Sequence, residues 1–390
     1  MRKICVVTGT RAEYGLLSRL MRLIDESEDC RLQVIATNMH LLPEYGNTYQ
    51  EIEKDGFCID AKVLMRKPTD DAYGVITSMA EEMSGMNEAL RDLCPDMVVI
   101  LGDRYEMLVV ATVAMLQRIP IAHLHGGEIS EGAMDDSIRH SITKMSSLHF
   151  TSTEEYRRRV IQLGEQPERV FYVGALGVEN LKKVPLMRKL ELEDSLNFKF
   201  GGLSVLVTYH PVTLGNRIPK DEISDLLKAL DSFSSLKVLF TMPNSDQGGE
   251  EIRSAIEEYC VRNEERCRCF KSLGVRRYLS TLGYVTAVVG NSSSGLLEVP
   301  SAHIPTLNIG DRQKGRTRGA SVVDVASDEA SIVKGLQKVL SPNFRAFCKT
   351  TTNPYEKEGT AESIFKVNAA RKSKVDDNTA KMQSIKQLGV

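Results

Sequence analysis

Several things this sequence lacks narrow what it can be. Its eight cysteines form no CxxC pair and no framework spacing, and a chain of 390 residues does not need staples, so they read as reduced thiols. No stretch approaches the roughly 18 uncharged apolar residues of a membrane span, and Met1-Arg2-Lys3 runs straight into a strand-like segment with no signal-peptide core. A cytoplasmic location without a membrane partner is therefore expected. The formal charge of −2 offers no general attraction to nucleic acid, so no nucleic-acid partner is expected and any anion must be held by a local array of donors. Neither GxGxxG nor GxxxxGK[ST] occurs, which removes the ordinary dinucleotide fingerprint and the P-loop.

The composition that remains, 42% apolar and 26% charged, is that of an ordinary globular protein, and the length exceeds what one core supports. Short β-branched runs, each followed by a helix-length amphipathic segment, occupy Ile4 to Thr8, Leu32 to Thr37, Met97 to Gly102, Ile121 to Leu124 and Leu148 to Thr151. The rhythm resumes at Leu203 to Thr208, Lys237 to Thr241, Ala287 to Gly290 and Thr306 to Ile309. Such a βαβ rhythm predicts an α/β protein of two doubly wound domains. The expected boundaries are 1–178 for the first domain, 179–202 for a linker region ending in a Gly201-Gly202 hinge, 203–365 for the second domain, and 366–390 for a terminal helix and tail. The apolar helix Met107 to Leu116 is the candidate face for a homodimer or higher homo-oligomer.

In open α/β sheets ligands gather where strands end and helices begin. Gly9-Thr10-Arg11-Ala12-Glu13-Tyr14-Gly15 after the first strand puts a glycine where backbone meets a ligand and Arg11 where a guanidinium can fork onto phosphate. Gly290-Asn291-Ser292-Ser293-Ser294-Gly295-Leu296-Leu297-Glu298 is the strongest segment, because hydroxyls, free N–H groups and a helix start together make an anion seat. Continued as a helix, it puts Glu298 about 9 Å along the axis from Ser292, the reach from a diphosphate to a ribose diol. Four cations, Arg312, Lys314, Arg316 and Arg318, follow the next strand as a candidate clamp. In the first half, Asp103-Arg104, His123-Leu124-His125-Gly126-Gly127-Glu128 and Asp135-Asp136 supply carboxylate and imidazole for proton transfer. His-x-His-x-x-Glu alone is too sparse for an all-protein metal site, and none is expected. His210 and Asn244 lie after two strands of the second half, in Tyr209-His210-Pro211 and Met242-Pro243-Asn244.

Taken in order, GTRAEYG, LGDRYE, HLHGGE, DDSIRHSITKMSSLH, TYHPVT, PNSD and GNSSSGLLEVP through GDRQKGR resemble the bacterial hydrolysing UDP-N-acetylglucosamine 2-epimerases of sialic acid synthesis. The resemblance runs from about Lys3 to Pro354. It implies the GT-B architecture, two Rossmann-like domains facing a cleft, and conversion of UDP-N-acetylglucosamine to N-acetylmannosamine and UDP without cofactor or metal. By similarity Arg11, Arg104, His210, Asn244, Ser292, Ser293, Ser294, Glu298 and Arg312 hold the nucleotide, while Asp103, Glu128, Asp135, His125 and His210 are the catalytic candidates. Distant relatives, including the non-hydrolysing epimerases, carry a glutamate at the position of His125. Two alternatives stay open here: the same chemistry on a UDP- or GDP-linked 2,4-diacetamido-6-deoxy hexose, and a GT-B glycosyltransferase.

Overall fold

The computed structural model describes residues 1–66, 69, 71–131, 134–212, 217–243 and 248–370. The first sheet comprises β1 (Arg2–Thr8), β2 (Cys30–Thr37), β3 (Ala61–Val63), β4 (Met97–Leu101), β5 (Ile121–Leu124), β6 (Leu148–Thr151) and β7 (Val170–Tyr172). Its spatial order is β3-β2-β1-β4-β5-β6-β7 and its pairs are parallel. The second sheet comprises β8 (Ser204–Thr208), β9 (Lys237–Thr241), β10 (Cys267–Phe270), β11 (Ala287–Gly290), β12 (Thr306–Ile309) and β13 (Val322–Val325), ordered β10-β9-β8-β11-β12-β13 and again parallel. In each sheet the chain winds outward from a central strand and then returns to its other side. The crevice between β1 and β4, and that between β8 and β11, are therefore the switch points at which an open sheet binds ligands.

Parallel strands covered on both faces need apolar side chains in both directions, which is why the runs are continuous rather than alternating. Ile4 and Val6 point into one layer with Leu17, Leu20 and Ile24 of the helix Arg11–Asp25, while Cys5 and Val7 point into the other with Met86, Leu90 and Met107. The second sheet repeats the plan. Val205 and Val207 meet Ile223, Leu226, Ile256 and Leu336, and Leu206 and Val288 meet Leu192, Leu196, Leu279 and Leu282.

The units depart from the expected boundaries in three places. The first consists of Met1–Glu128, Asp135–Glu179 and Lys357 onward, and the second of Ile129–Met134 and Asn180–Glu356. The stretch expected as a linker is instead wall of the second core, since Met187, Leu192, Leu196, Phe198 and Phe200 are all buried there. The helix Thr360–Ala370 belongs to the first unit, with Ala361 and Ile364 in its core and Thr360 Oγ1 donating to the Val173 carbonyl at 2.8 Å. The third is the short segment Ile129–Met134, which Glu131 ties to the second unit through its N–H on the Lys314 carbonyl at 3.1 Å.

The candidate dimer helix is also corrected. The helix Tyr105–Leu116 buries Met107, Val109, Val110, Ala111, Val113 and Ala114 in its own unit and leaves Met115 and Leu116 exposed. Among the described residues no helix is long and apolar enough to cross a membrane.

The tightest approach in the second sheet is at Gly290, where φ is +131° and an added Cβ would stand 1.9 Å from the Thr208 carbonyl oxygen. A Gly290→Ala substitution has to break the β8–β11 contact. The expected loss is about 3 kcal/mol or more, read as a lowered melting temperature; a variant that melts with the parent contradicts this account.

Candidate active site

In the second unit, two turns at the switch point are locked into one piece by Asn291, whose side chain is fully buried. Its Oδ1 accepts the His210 N–H at 2.7 Å, its Nδ2 donates to the His210 carbonyl at 2.8 Å, and its own N–H reaches the Thr208 carbonyl at 3.1 Å. An amide placed this way satisfies both orphan groups of the neighbouring turn, which a buried backbone requires. The Asn291 carbonyl in turn accepts from Gln313 Nε2 at 2.8 Å and from Arg312 Nη1 at 3.3 Å. His210, the serine turn and Arg312 are thus one hydrogen-bonded body.

The expected basic clamp is narrower than its composition implies. Lys314 lies 3.4 Å from the Glu131 carboxylate, and Arg318 pairs with Asp324, so two of the four cations serve local ion pairs. Arg312 reaches the serine turn.

The helix expected after β11 is short as well. It spans only Ser294–Leu297 and passes at Glu298 into the 3-10 turn Val299–Ala302, whose Pro300 has no N–H to continue an α-helix. A single turn carries little macrodipole, so the donors this segment offers are its hydroxyls rather than a helix end. Tyr278 Oη donates to Ser294 Oγ at 2.8 Å, and Ser294 Oγ lies 3.2 Å from Ser292 Oγ. Burial, followed by the charge of Glu298, pushes the Tyr278 phenol well above its usual range, which keeps it a donor. Glu298 is itself buried. Asn244 lies outside the described residues.

In the first unit the acids are organised by Arg139, a residue that motif reading passed over. Its guanidinium is buried; Nε donates to Asp103 Oδ2 at 2.9 Å, with Nη2 on the same oxygen, and Nη1 donates to the Glu128 carbonyl at 2.8 Å and to Asp136 Oδ1 at 3.2 Å. Its helix, Asp135–Met145, begins at Asp135, so Arg139 follows the two acids by one helical turn. Glu128 is 2% exposed, accepts from Ser152 Oγ at 2.9 Å, and has Oε1 3.5 Å from His125 Nδ1. His125 holds a left-handed backbone, φ +64°, fixed by its N–H on the Phe150 carbonyl at 2.8 Å. His123 serves elsewhere: its ring bridges the Gly102 carbonyl at 2.8 Å and Thr143 Oγ1 at 3.2 Å, and burial lowers its pKa to about 3, leaving it neutral. Among the described residues no three His, Cys, Asp or Glu side chains come together as metal ligands.

The β1 turn places Arg11 at the start of its helix, 2.7 Å from the Glu51 carboxylate. Thr10 and Glu13 form a capping box there, with Glu13 Oε2 accepting the Gly9 and Thr10 N–H groups at 2.8 and 3.2 Å. Arg104, at the tip of β4, donates from Nε to Glu106 Oε1 at 2.7 Å.

Arg139 anchors Asp103, whose carboxylate is one-fifth exposed. An Arg139→Met exchange that leaves Asp103 and the Glu128 carbonyl without their donor is expected to cost about 3 kcal/mol, the low end for a broken buried pair. Denaturant unfolding checks it, and an unchanged midpoint refutes the anchoring role.

The sequence profile of the family described as UDP-N-acetylglucosamine 2-epimerase matches residues 22–368. The chain is 45% identical over 344 residues to the GDP/UDP-N,N'-diacetylbacillosamine 2-epimerase (hydrolyzing) of Campylobacter jejuni, covering 88% of this chain and 89% of that protein. It is 41% identical over 375 residues to the polysialic acid biosynthesis protein P7 of Escherichia coli, covering 95% and 93%. Among solved structures, the UDP-GlcNAc 2-epimerase of Neisseria meningitidis bound to UDP-GlcNAc is similar with a TM-score of 0.78 at 16% identity, over 95% of this chain and all of that one. That likeness is one of fold, and the fold is GT-B-like, with two Rossmann-like units.

Proposed function

The chain belongs to the UDP-N-acetylglucosamine 2-epimerase family, and on that premise we propose that it is a hydrolysing 2-epimerase that releases a free 2-acetamido sugar and UDP from a UDP-linked substrate. UDP-N-acetylglucosamine, giving N-acetylmannosamine for sialic acid synthesis, is the first substrate. The observation that carries the reading is the convergence of His210, the serine turn and Arg312 on Asn291 at a switch point.

In this proposal His210, Asn244, Ser292, Ser293, Ser294, Glu298 and Arg312 of the second unit, with Arg11 and Arg104 of the first, hold the nucleotide and diphosphate. Asp103, Glu128, Asp135 and His125 move protons. The C2 proton has no carbonyl beside it and is barely acidic, so a carboxylate removes it only as the C1–O bond breaks. The C1–O pair leaves with UDP, the C2–H pair becomes the C1=C2 bond, and a glycal results. Water then adds its oxygen to C1 and gives up a proton, while C2 receives one on the opposite face. Stabilisation of the departing diphosphate by fixed donors is the dominant effect, and proton transfer contributes typically ~10²–10⁴-fold.

The Campylobacter jejuni relative favours a second reading, in which the same steps act on the 4-acetamido-6-deoxy analogue. One experiment treats both. Each UDP-sugar is supplied separately in D₂O and the products are followed by NMR; free sugar with deuterium at C2 is expected, and the substrate that yields it is the enzyme's. Product without deuterium at C2 rules out the elimination, and no free sugar from either substrate rules out the reaction.

The enzyme is further proposed to be a homodimer, through the stripe Tyr73, Ile76 and Met83 on the helix Ala72–Leu93, each exposed. These positions share one helical face. Sedimentation is expected to show two copies and an Ile76→Glu variant one; a monomeric parent removes the proposal.

A further inference from the structure

We infer that Glu106 is a positioning residue for Arg104, fixing its guanidinium at the switch point of the first sheet for recognition of an anionic group of the substrate. The inference rests on the proposed reaction for the identity of the anion.

Glu106 is fully buried at the start of the helix Tyr105–Leu116. One oxygen, Oε1, holds Arg104 Nε at 2.7 Å; the other, Oε2, is buried without a hydrogen-bond partner. On its other side the carboxylate lies flat against the β1 turn, since a Cβ on Gly9 would stand 3.0 Å from Oε1 and 3.1 Å from Cγ. Side chain and turn therefore leave each other little freedom. A guanidinium held at Nε by a buried carboxylate has its plane fixed, and a fixed plane is what recognition of an anion demands.

Two further carboxyl groups face Glu106, Glu13 from the helix Arg11–Asp25 and Glu82 from the helix Ala72–Leu93. Three buried negative charges beside one guanidinium would be far out of balance. Burial, and then the charge of Glu106, raises the Glu13 pKa to about 8, and the same two causes raise Glu82 well above its usual range. At neutral pH Glu13 holds its proton, burial pushes Glu82 in the same direction, and Arg104 Nε pairs with Glu106 Oε1. Glu13 still accepts from the Gly9 and Thr10 N–H groups, and Glu82 from Thr37 Oγ1 at 3.1 Å. Independently of the acids, Asn38 follows Thr37 at the end of β2, is 1% exposed, and has both amide atoms without a partner.

A double-mutant cycle tests the inference. Glu106→Gln keeps the shape and an acceptor for Nε while removing the charge. KM is expected to rise about tenfold, more than kcat falls, with UDP affinity by calorimetry lost in parallel. Arg104→Lys is expected to do the same, and the double variant to be no worse than Arg104→Lys alone. Additive losses, or a Glu106→Gln enzyme with a lowered melting temperature and an unmoved KM, overturn the inference.

The pH profile supplies a second readout. Glu13 keeps its proton below about pH 8 and releases it above, where its new charge competes for Arg104. KM is therefore expected to climb above that pH in the parent and to stay level in Glu13→Gln; the same climb in both overturns the role given to the neutral acids. If the parent binds UDP but releases no sugar, the reaction fails separately, and the cycle is read in UDP affinity, where additivity again decides against Glu106.

Discussion

The constraint on which the rest depends is that every strand in these sheets ends in buried backbone whose polar groups still need partners. At the β8–β11 switch point a single side-chain amide, Asn291, meets that need for the His210 turn and offers its own carbonyl to Arg312 and Gln313. Because the amide is neutral, the arrangement costs little desolvation, and no charge has to be buried merely to hold two loops together. The hydroxyls of Ser292 and Ser294 on that turn are linked to each other and to Tyr278, and hydroxyls are donors of the kind an anion wants.

The first unit meets the same constraint with charge instead. Arg139 is fully enclosed, and five donors on a rigid plane let it grip a carboxylate, a second carboxylate and a backbone carbonyl together. A lysine's donors fan out from a single nitrogen and could not put a two-nitrogen fork on Asp103 while also reaching the Glu128 carbonyl and Asp136. The same logic bears on the glutamates near the β1 turn: burial and the charge of Glu106 push Glu13 and Glu82 toward their neutral forms, beside the Arg104–Glu106 pair. In both crevices the residues at the strand tips are held by a layer beneath them that touches no substrate in the proposed scheme.

That lower layer is what the sequence concealed. The nine central strands were legible because burial on both faces leaves long apolar runs. The four that were not, β3, β7, β10 and β13, are the edges of their sheets, three or four residues long and in part exposed, so their pattern does not rise above that of a loop. Residues 179–202 read as a linker because charged residues interrupt their apolar ones without a clear period, yet Met187, Leu192, Leu196, Phe198 and Phe200 face one core. Arg139 and Asn291 sat inside motifs whose serines, histidines and acids drew the eye. Their one available signal was spacing, Arg139 at i+3 from Asp136, and spacing alone does not separate an exposed helix pair from a buried anchor. Glu13 and Glu106 also lay within quoted motifs, but nothing linear joins positions so far apart; only the adjacency of β1 and β4 does.

For an anion to be held at the serine turn, as proposed, this slightly acidic chain has to do it without a field. Two of the four nearby cations are committed to Glu131 and Asp324, and the helix that follows is one turn long, so neither bulk charge nor dipole suffices. Order among the hydroxyls supplies the rest. Tyr278, kept protonated by burial and by Glu298, donates to Ser294 Oγ, which lies 3.2 Å from Ser292 Oγ, so the hydroxyls of the turn are linked to each other and to a buried phenol. Hydrogen bonds joined in this way polarise one another. Donors held in place by the fold meet the condition under which a neutral group stabilises developing charge without first having to reorganise.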